Sequence, residues 1–99
     1  MDKQYTSKAQ MRGYQTLKAL FGHEINGITC HELAAQLNKP KVTVYKDLKG
    51  LEAAGLAEQL PDKNWRLSSA LAREAVKIMH NLDAARRRVD ETAGRYGLG

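Results

Sequence analysis

The 99-residue sequence contains a single cysteine, Cys30, only two prolines and no long hydrophobic run. One cysteine cannot form an intramolecular disulfide, so the fold has to be held by its apolar core. No segment approaches the roughly 20 apolar residues that a membrane-spanning helix requires. The first ten residues, MDKQYTSKAQ, lack the apolar stretch of a secretory signal. These absences predict a soluble protein of the reducing cytoplasm that binds no membrane.

Residues suited to catalysis or metal binding form no recognisable pattern. The sequence has no Ser/His/Asp arrangement, no phosphate-binding glycine loop and no pair of carboxylates at catalytic spacing. Cys30 adjoins His31, but a metal site needs three or four ligands, and His23 and His80 add no cluster. We therefore expect no enzyme activity, no metal and no cofactor.

Positive charge is abundant and unevenly placed. The chain has 16 Lys and Arg against 11 Asp and Glu, a formal net charge of +5. Lys39, Lys41, Lys46 and Lys49 lie close together, and between residues 39 and 49 only Asp47 opposes them. Such a run is often just a solvated helix face. Its position on the helix described below favours instead a polyanionic partner such as nucleic acid.

Capping patterns predict two helices in the first part of the chain. Ser7 and Gln10 have the spacing of a capping box and open a helix over about 8–21. Its apolar residues recur at helical steps: Met11, Tyr14, Leu17, Leu20 and Phe21. Thr29 and Glu32 form a second capping box, and Asn38 ends that short helix because asparagine tolerates left-handed geometry. Ile28, just before it, is a candidate for a very short strand.

A third helix follows almost at once. Pro40 has the fixed φ that suits a first helical position, and the helix extends to about residue 54. Its apolar stripe, Val44, Leu48 and Leu51, faces the core. The opposite side carries Val42, Tyr45, Lys46 and Lys49, with Lys41 and Thr43 at its flanks. We expect Asp47 to pair with a neighbouring lysine.

The second half of the chain changes pattern. Residues 56–60 and 65–67 alternate apolar and polar side chains around the turn-forming run PDKN, which predicts a β-hairpin. Trp65 is expected in the core rather than as a stacking platform. Ser68 or Ser69 then caps a long final helix. The predicted fold is mainly α with a small β-hairpin: a winged helix-turn-helix domain over 1–67 and a long C-terminal helix over 68–99.

The segment ITCHELAAQLNKPKVTVYKDLKGLEAAGLAEQLPDKNWRL resembles the winged helix-turn-helix domain of the IclR (isocitrate lyase regulator) family. The likeness covers about residues 10–67, and the motifs that carry it are Glu-Leu-Ala at 32–34, Pro-Lys at 40–41, Thr-Val at 43–44 and Leu-Glu-x-x-Gly-Leu at 51–56. It implies DNA binding as a dimer, with the helix around Lys41–Lys49 reading the DNA and residues 61–66 forming the wing.

The sequence departs from the family pattern in three places. Asn38 stands where glycine is frequent, Val42 where a small polar residue is usual, and Asp47 where an apolar residue is common. We also expect the family's effector-binding domain to be absent from 99 residues, so the resemblance carries over only the DNA-binding half and gives no support for ligand-responsive regulation.

The candidate DNA contacts lie at the start of the second helix, along the third helix and on the hairpin. Lysines can contact phosphates or guanine edges, and the backbone N–H groups of a helix N-terminus can meet a phosphate. Tyr45 either touches DNA or supports the helix. The full candidate set is Thr29, Lys39, Lys41, Val42, Thr43, Tyr45, Lys46, Lys49, Lys63, Asn64 and Arg66.

The C-terminal helix carries an apolar repeat at alternating steps of four and three. This spacing is typical of a coiled coil, and we expect a homodimer joined through it. In the alternative, the first half of the helix packs on its own winged domain. The predicted dimerisation residues are Leu71, Ala75, Ile78, Leu82, Ala85 and Val89, and the repeat continues at Thr92 and Tyr96. Arg86 with Asp90 and Arg87 with Glu91 would support the exposed face.

The sequence therefore predicts a duplex DNA-binding protein that acts as a transcriptional regulator and is associated with the nucleoid. It reads the major groove with the helix over 40–54 and the DNA backbone with the wing. The alternative is a protein-interaction adaptor or architectural accessory that uses the winged domain and the C-terminal helix to bind a protein partner.

Overall fold

Four helices and one two-stranded sheet make up the computed structural model, which describes residues 5–98. The elements in chain order are α1 (Lys8–Ala19), α2 (Cys30–Leu37), α3 (Lys41–Ala53), β1 (Ala57–Gln59), β2 (Trp65–Leu67) and α4 (Ser69–Arg95). Residues 1–4 of the predicted first domain, and residue 99 of the second, lie outside the described residues. No helix in the described part of the chain combines the length and apolar character needed to cross a bilayer.

Side-chain caps begin three of the helices, as their sequences predict. Ser7 Oγ accepts from the Gln10 N–H at 3.3 Å, and Thr29 Oγ1 accepts from the Glu32 N–H at 3.0 Å. Ser68 begins α4 in the same way by accepting from the Leu71 N–H at 3.0 Å. Each hydroxyl satisfies a backbone donor that the first helical turn leaves without a partner.

The turn between α2 and α3 is tight. Asn38 adopts left-handed geometry, with φ 54° and ψ 48°, as its ability to enter that region predicts. Pro40 has φ −61° and ψ 141°, so it is the residue that precedes α3 rather than its first helical residue. The two helices are thus joined by residues 38–40, and α2 packs on α3.

The core forms where α1, α2 and α3 meet the hairpin. The predicted α3 stripe is confirmed, since Val44, Leu48 and Leu51 are all buried. Trp65 is 1% exposed and is among the largest fully buried side chains. The buried apolar residues form one cluster: Leu20, Ile28, Leu33, Ala34, Val44, Leu48, Leu51, Ala57 and Trp65.

Helix α1 differs from its predicted apolar stripe. Met11, Tyr14 and Phe21 are exposed, while Thr16 is fully buried next to the core residue Leu20. The helix tolerates Thr16 inside because its hydroxyl donates to the Arg12 carbonyl at 3.0 Å and is therefore not left unsatisfied. The apolar residues of α1 are thus divided between the core and an open outer face, and the helix ends two residues before the predicted boundary.

The loop before α2 adds one isolated β-bridge to the hairpin. β1 and β2 pair antiparallel, with Gln59 opposite Trp65. Ile28 bridges Trp65 on its other edge, and each N–H donates to the other residue's carbonyl at 2.8 Å. The very short strand predicted at Ile28 is present as this one bridge, outside the two-stranded sheet, and the bridge fastens the hairpin to the helical core.

Helix α4 projects away from this core. Leu71 is half-buried, and every residue from Ala72 to Thr92 is exposed. The alternative in which the first half of α4 packs on its own domain is therefore wrong beyond the first turn. The predicted pairs of Arg86 and Arg87 with the acidic residues at 90 and 91 do not form, and the one ion pair along α4 in the described residues joins Glu74 and Lys77 at 3.0 Å.

Candidate nucleic-acid interface

The outward side of α3 is a continuous exposed surface. Lys41, Val42, Tyr45, Lys46 and Lys49 are all exposed, and Val42 is 66% accessible despite its apolar side chain. Thr43 is half-buried at the flank. The geometry follows from the buried stripe on the opposite side, because helical rotation turns these positions outward. We call this set of residues the lysine face.

An ion pair across the fold fixes α3 against α1. The Arg12 Nε donates to Asp47 Oδ2 at 2.7 Å, and Arg12 Nη2 donates to Asp47 Oδ1 at 3.0 Å. The Asp47 side chain is 10% exposed, and its hydrogen bond raises the pKa of Arg12. The expectation that Asp47 pairs with a neighbouring lysine is wrong, since its carboxylate points inward towards α1. The lysine face thus keeps its charge.

Lysines on this face differ in what they contact. Lys49 Nζ donates to Glu52 Oε1 at 2.8 Å, and that hydrogen bond raises the pKa of Lys49. Within residues 5–98, Lys41 and Lys46 form no ion pair with a carboxylate. Lys41 and Lys46 are therefore the least compensated charges of the lysine face.

Tyr45 links the lysine face to the hairpin. Its ring meets Trp65 edge to face, with ring centroids 6.4 Å apart and an interplanar angle of 81°. Tyr45 remains 47% exposed. The residue thus supports α3 through the buried tryptophan and still presents part of its ring to the surface.

A cleft of about 280 Å³ separates α3 from the hairpin turn. Lys41 and Tyr45 line it from the helix, and Lys63 and Asn64 line it from the turn. Thr29 lies at its edge, but its hydroxyl already caps α2 and donates to Glu32 Oε1 at 2.8 Å. The structure therefore brings together candidates from three elements of the chain.

The turn that carries Lys63 is anchored on both sides. Lys63 has φ 73°, and its carbonyl accepts from Gln59 Nε2 at 3.0 Å. Asn64 donates from its backbone to Asp62 Oδ1 and from Nδ2 to the Asn26 carbonyl, both at 3.0 Å. The Asn64 side chain therefore holds the hairpin to the preceding loop, while Lys63 remains exposed at the tip.

Two of the candidates lie elsewhere. Arg66 pairs with Glu58, Nη2 to Oε2 at 2.7 Å, and its Nη1 donates to the Glu24 carbonyl at 3.0 Å. Lys39 lies outside the cleft: it lines one cavity with Lys41 at the turn between α2 and α3, and another with residues of α1 that include Lys8 and Arg12. The structure therefore separates Arg66 from the lysine face and places Lys39 beside the Lys41 end of that face.

Glu58, which the sequence reading missed, connects β1 to the start of α4. Its Oε1 accepts from the Ser69 N–H at 2.8 Å, and its Oε2 accepts from Arg66 Nε at 2.8 Å. The Ser69 backbone and Arg66 together lower the pKa of Glu58. The pairing of Glu58 with Arg66 in the hairpin register was the sequence signal that could have identified it.

We expect Glu58→Gln to lower the free energy of unfolding by about 1 kcal/mol at pH 7. Because folding lowers the pKa of Glu58, its contribution is fully present above the ordinary glutamate pKa and is lost as the pH falls through the lower folded-state value. Urea denaturation of both proteins at pH 7 and in the acid range measures this. An equal difference between them at every pH would contradict the assignment.

Cys30 lies beside the cleft. Its Sγ is 3.6 Å from the Lys41 carbonyl, and burial raises the pKa of the thiol. A raised pKa keeps the thiol protonated and weakly reactive at neutral pH. No group of three or more His, Cys, Asp and Glu side chains in residues 5–98 is arranged to hold a metal ion.

The exposed helix, tight turn and anchored hairpin occur together in known proteins. The fold is a winged helix-turn-helix. The chain is similar to Pseudomonas aeruginosa HmgR, with a TM-score of 0.64 and 25% identity over 78% of this chain. It is also similar to S. aureus MepR bound to ethidium bromide, with a TM-score of 0.52 and 19% identity over 100% of this chain and 83% of MepR. No family model and no curated protein matches the sequence.

The chain spans 33% of the HmgR chain, about a third of its length. HmgR is an IclR-family regulator and MepR a MarR-family regulator, so the two likenesses support the winged helix-turn-helix fold and do not confirm the IclR family. By position in that fold, α3 corresponds to the element called the recognition helix, and the β1–β2 hairpin corresponds to the wing, with residues 60–64 at its tip.

Proposed function

We propose that this protein is a sequence-specific duplex DNA-binding regulator of transcription, of the IclR type in its DNA-binding half, that works on the nucleoid in the cytoplasm. The observation that carries the proposal is the lysine face, which lies on the recognition helix directly opposite its buried stripe. An α-helix fits the B-DNA major groove, where lysines can meet guanine edges and flanking phosphates.

The arrangement of the wing supports the same proposal. Lys63 stands at the tip of the hairpin, across the cleft from Lys41. With α3 in the major groove, a lysine on the far side of the cleft meets the sugar-phosphate backbone rather than the bases. Such backbone contacts fix the register of the protein on DNA. Thr29 caps α2 at the edge of the cleft, so in this arrangement the backbone N–H groups at the N-terminus of α2 face a neighbouring phosphate.

Sequence preference in this proposal rests on Val42, Thr43 and Tyr45 together with the lysines. An apolar side chain that is 66% exposed on a recognition helix suits contact with a thymine methyl group. A homodimer formed through α4 brings a second recognition helix, which doubles the sequence that is read. Other uses of the fold, as an adaptor or architectural accessory, predict no loss of partner binding when the lysine face is neutralised.

The test is fluorescence anisotropy of a labelled random-sequence duplex titrated at several salt concentrations. We expect Lys41→Ala/Lys46→Ala to weaken binding about 10- to 100-fold near 0.1 M salt. The slope of log affinity against log salt concentration should fall by about 2 in magnitude, because each phosphate contact that is lost means that one counterion fewer is released on binding. Selection from a random duplex library with the wild-type protein then measures sequence preference.

The matched control is Lys18→Ala/Arg73→Ala, which removes the same charge from α1 and α4, away from the lysine face, at two side chains that form no ion pair within residues 5–98. Circular dichroism establishes that both double variants are folded. If the two double variants had equal affinity and equal salt slope, the loss of binding would be explained by net charge alone and not by the lysine face. Absence of duplex binding by the wild type at low salt would leave the adaptor function as the better account.

A further inference from the structure

Helix α4 exposes a complete apolar seam. The seam consists of Leu71, Ala75, Ile78, Leu82, Ala85, Val89, Thr92 and Tyr96, and only Leu71 is half-buried. Ile78, Leu82 and Val89 are 58–66% exposed. A helix of 27 residues with an apolar stripe along one side gains most of its stability from packing that stripe against another surface.

We propose that a second copy of α4 covers this seam in antiparallel orientation, with Leu82 opposite the partner's Ala85. The seam is self-complementary in this register. Ala85 of each copy meets Leu82 of the other, and Ile78 meets the partner's Val89. At the ends of the seam, Leu71 lies opposite the partner's Tyr96. A parallel pair would place Ala85 against the partner's Ala85 and leave a gap at that layer.

Charge at the edge of the seam favours the same orientation. Glu74 and Arg95 each lie one residue before a seam position, and the antiparallel register places Glu74 beside the partner's Arg95 at both ends of the pair. In a parallel pair Glu74 would lie beside the partner's Met79, and Arg95 would lie about six helical turns away. Antiparallel pairing also sets the two helix dipoles against each other favourably.

The orientation decides where the two winged domains lie. At a rise of 1.5 Å per residue, the antiparallel register separates Ser69 from the partner's Ser69 by about 45 Å, whereas a parallel pair leaves them about 10 Å apart. Only the larger separation is of the order of the 34–36 Å between half-sites one turn apart on B-DNA. This consequence for DNA rests on the proposed function, while the pairing of α4 does not.

Electron paramagnetic resonance on spin-labelled protein tests the orientation directly. Cys30→Ser removes the natural thiol, and Arg73→Cys or Arg87→Cys places one label on the outer side of α4, opposite the seam. An antiparallel pair is expected to give a distance between Arg73→Cys labels longer by at least about 10 Å than that between Arg87→Cys labels. Equal distances at the two positions, or no coupling at either, would overturn the proposal.

A charge swap gives an independent readout without labels. In the antiparallel pair, Glu74→Arg removes two ion pairs and sets arginines against each other, so we expect the dimer dissociation constant to rise about 3- to 30-fold by analytical ultracentrifugation. Adding Arg95→Glu should restore the wild-type value. A double variant as weak as the single one would also overturn the antiparallel pairing.

Failure of this inference can be distinguished from failure of the proposed function. The same labelled proteins are titrated with the random-sequence duplex. Duplex binding by a monomeric or parallel protein would overturn the antiparallel dimer and leave the DNA-binding function standing. An antiparallel dimer without duplex affinity would overturn the proposed function and leave the pairing of α4.

Discussion

Trp65→Ala is expected to lower the free energy of unfolding by about 3–5 kcal/mol, since it empties the largest side-chain volume in the core. Trp65 is 1% exposed, and its backbone exchanges two hydrogen bonds of 2.8 Å with Ile28. Tyr45 loses its edge contact in the same variant. We therefore expect the recognition helix and the wing to lose their fixed relation as well as their stability.

Far-UV circular dichroism in urea measures this change, because Trp65 is the one tryptophan of the chain and its fluorescence disappears with it. Trp65→Phe is the matched control, as it retains an aromatic ring and should cost less. A loss below about 1 kcal/mol for Trp65→Ala would contradict a well-packed core at this position.

Gly27→Ala is expected to destabilise the protein by about 2–4 kcal/mol for two separate reasons. Gly27 has φ 72°, which costs an L-residue energy in any surroundings. An added Cβ would also lie 2.9 Å from the Asn64 Cβ and 3.0 Å from the Trp65 carbonyl oxygen. The loop before α2 would have to separate from the hairpin.

Gly55→Ala separates the two causes. Gly55 has φ 78°, close to that of Gly27, but nothing lies within 4 Å of its Cβ position. We expect it to cost about 1–2 kcal/mol from backbone strain alone. Urea denaturation of both variants gives the difference, and equal losses would show that the close approach of the loop to the hairpin contributes nothing.

Local sequence rules predicted the elements well because their signals act within four residues. The capping boxes at Ser7 and Thr29, the left-handed Asn38 and the buried stripe from Val44 all depend on such short spacings. The α3 surface followed from the stripe, since the side of a helix opposite its core has to face outward.

The contacts that sequence reasoning missed join distant residues. Arg12 and Asp47 are 35 positions apart, and Arg66 meets the Glu24 carbonyl 42 positions away. No periodicity reveals which of several lysines and arginines will meet a given carboxylate. The sequence also could not predict which apolar residues of α1 are buried and which are exposed. That depends on how α1 is rotated about its axis where it packs on α3 and forms the Arg12 ion pair.

The tip of the wing contains one residue, Lys63, in an unfavourable backbone conformation. A lysine at φ 73° occupies a backbone conformation that glycine enters freely and that costs other L-residues about 1–2 kcal/mol. Stability alone would favour glycine at position 63, whereas lysine keeps a positive charge at the outermost point of the hairpin. Such a trade of stability against surface chemistry is expected where a position is retained for what it meets outside the molecule.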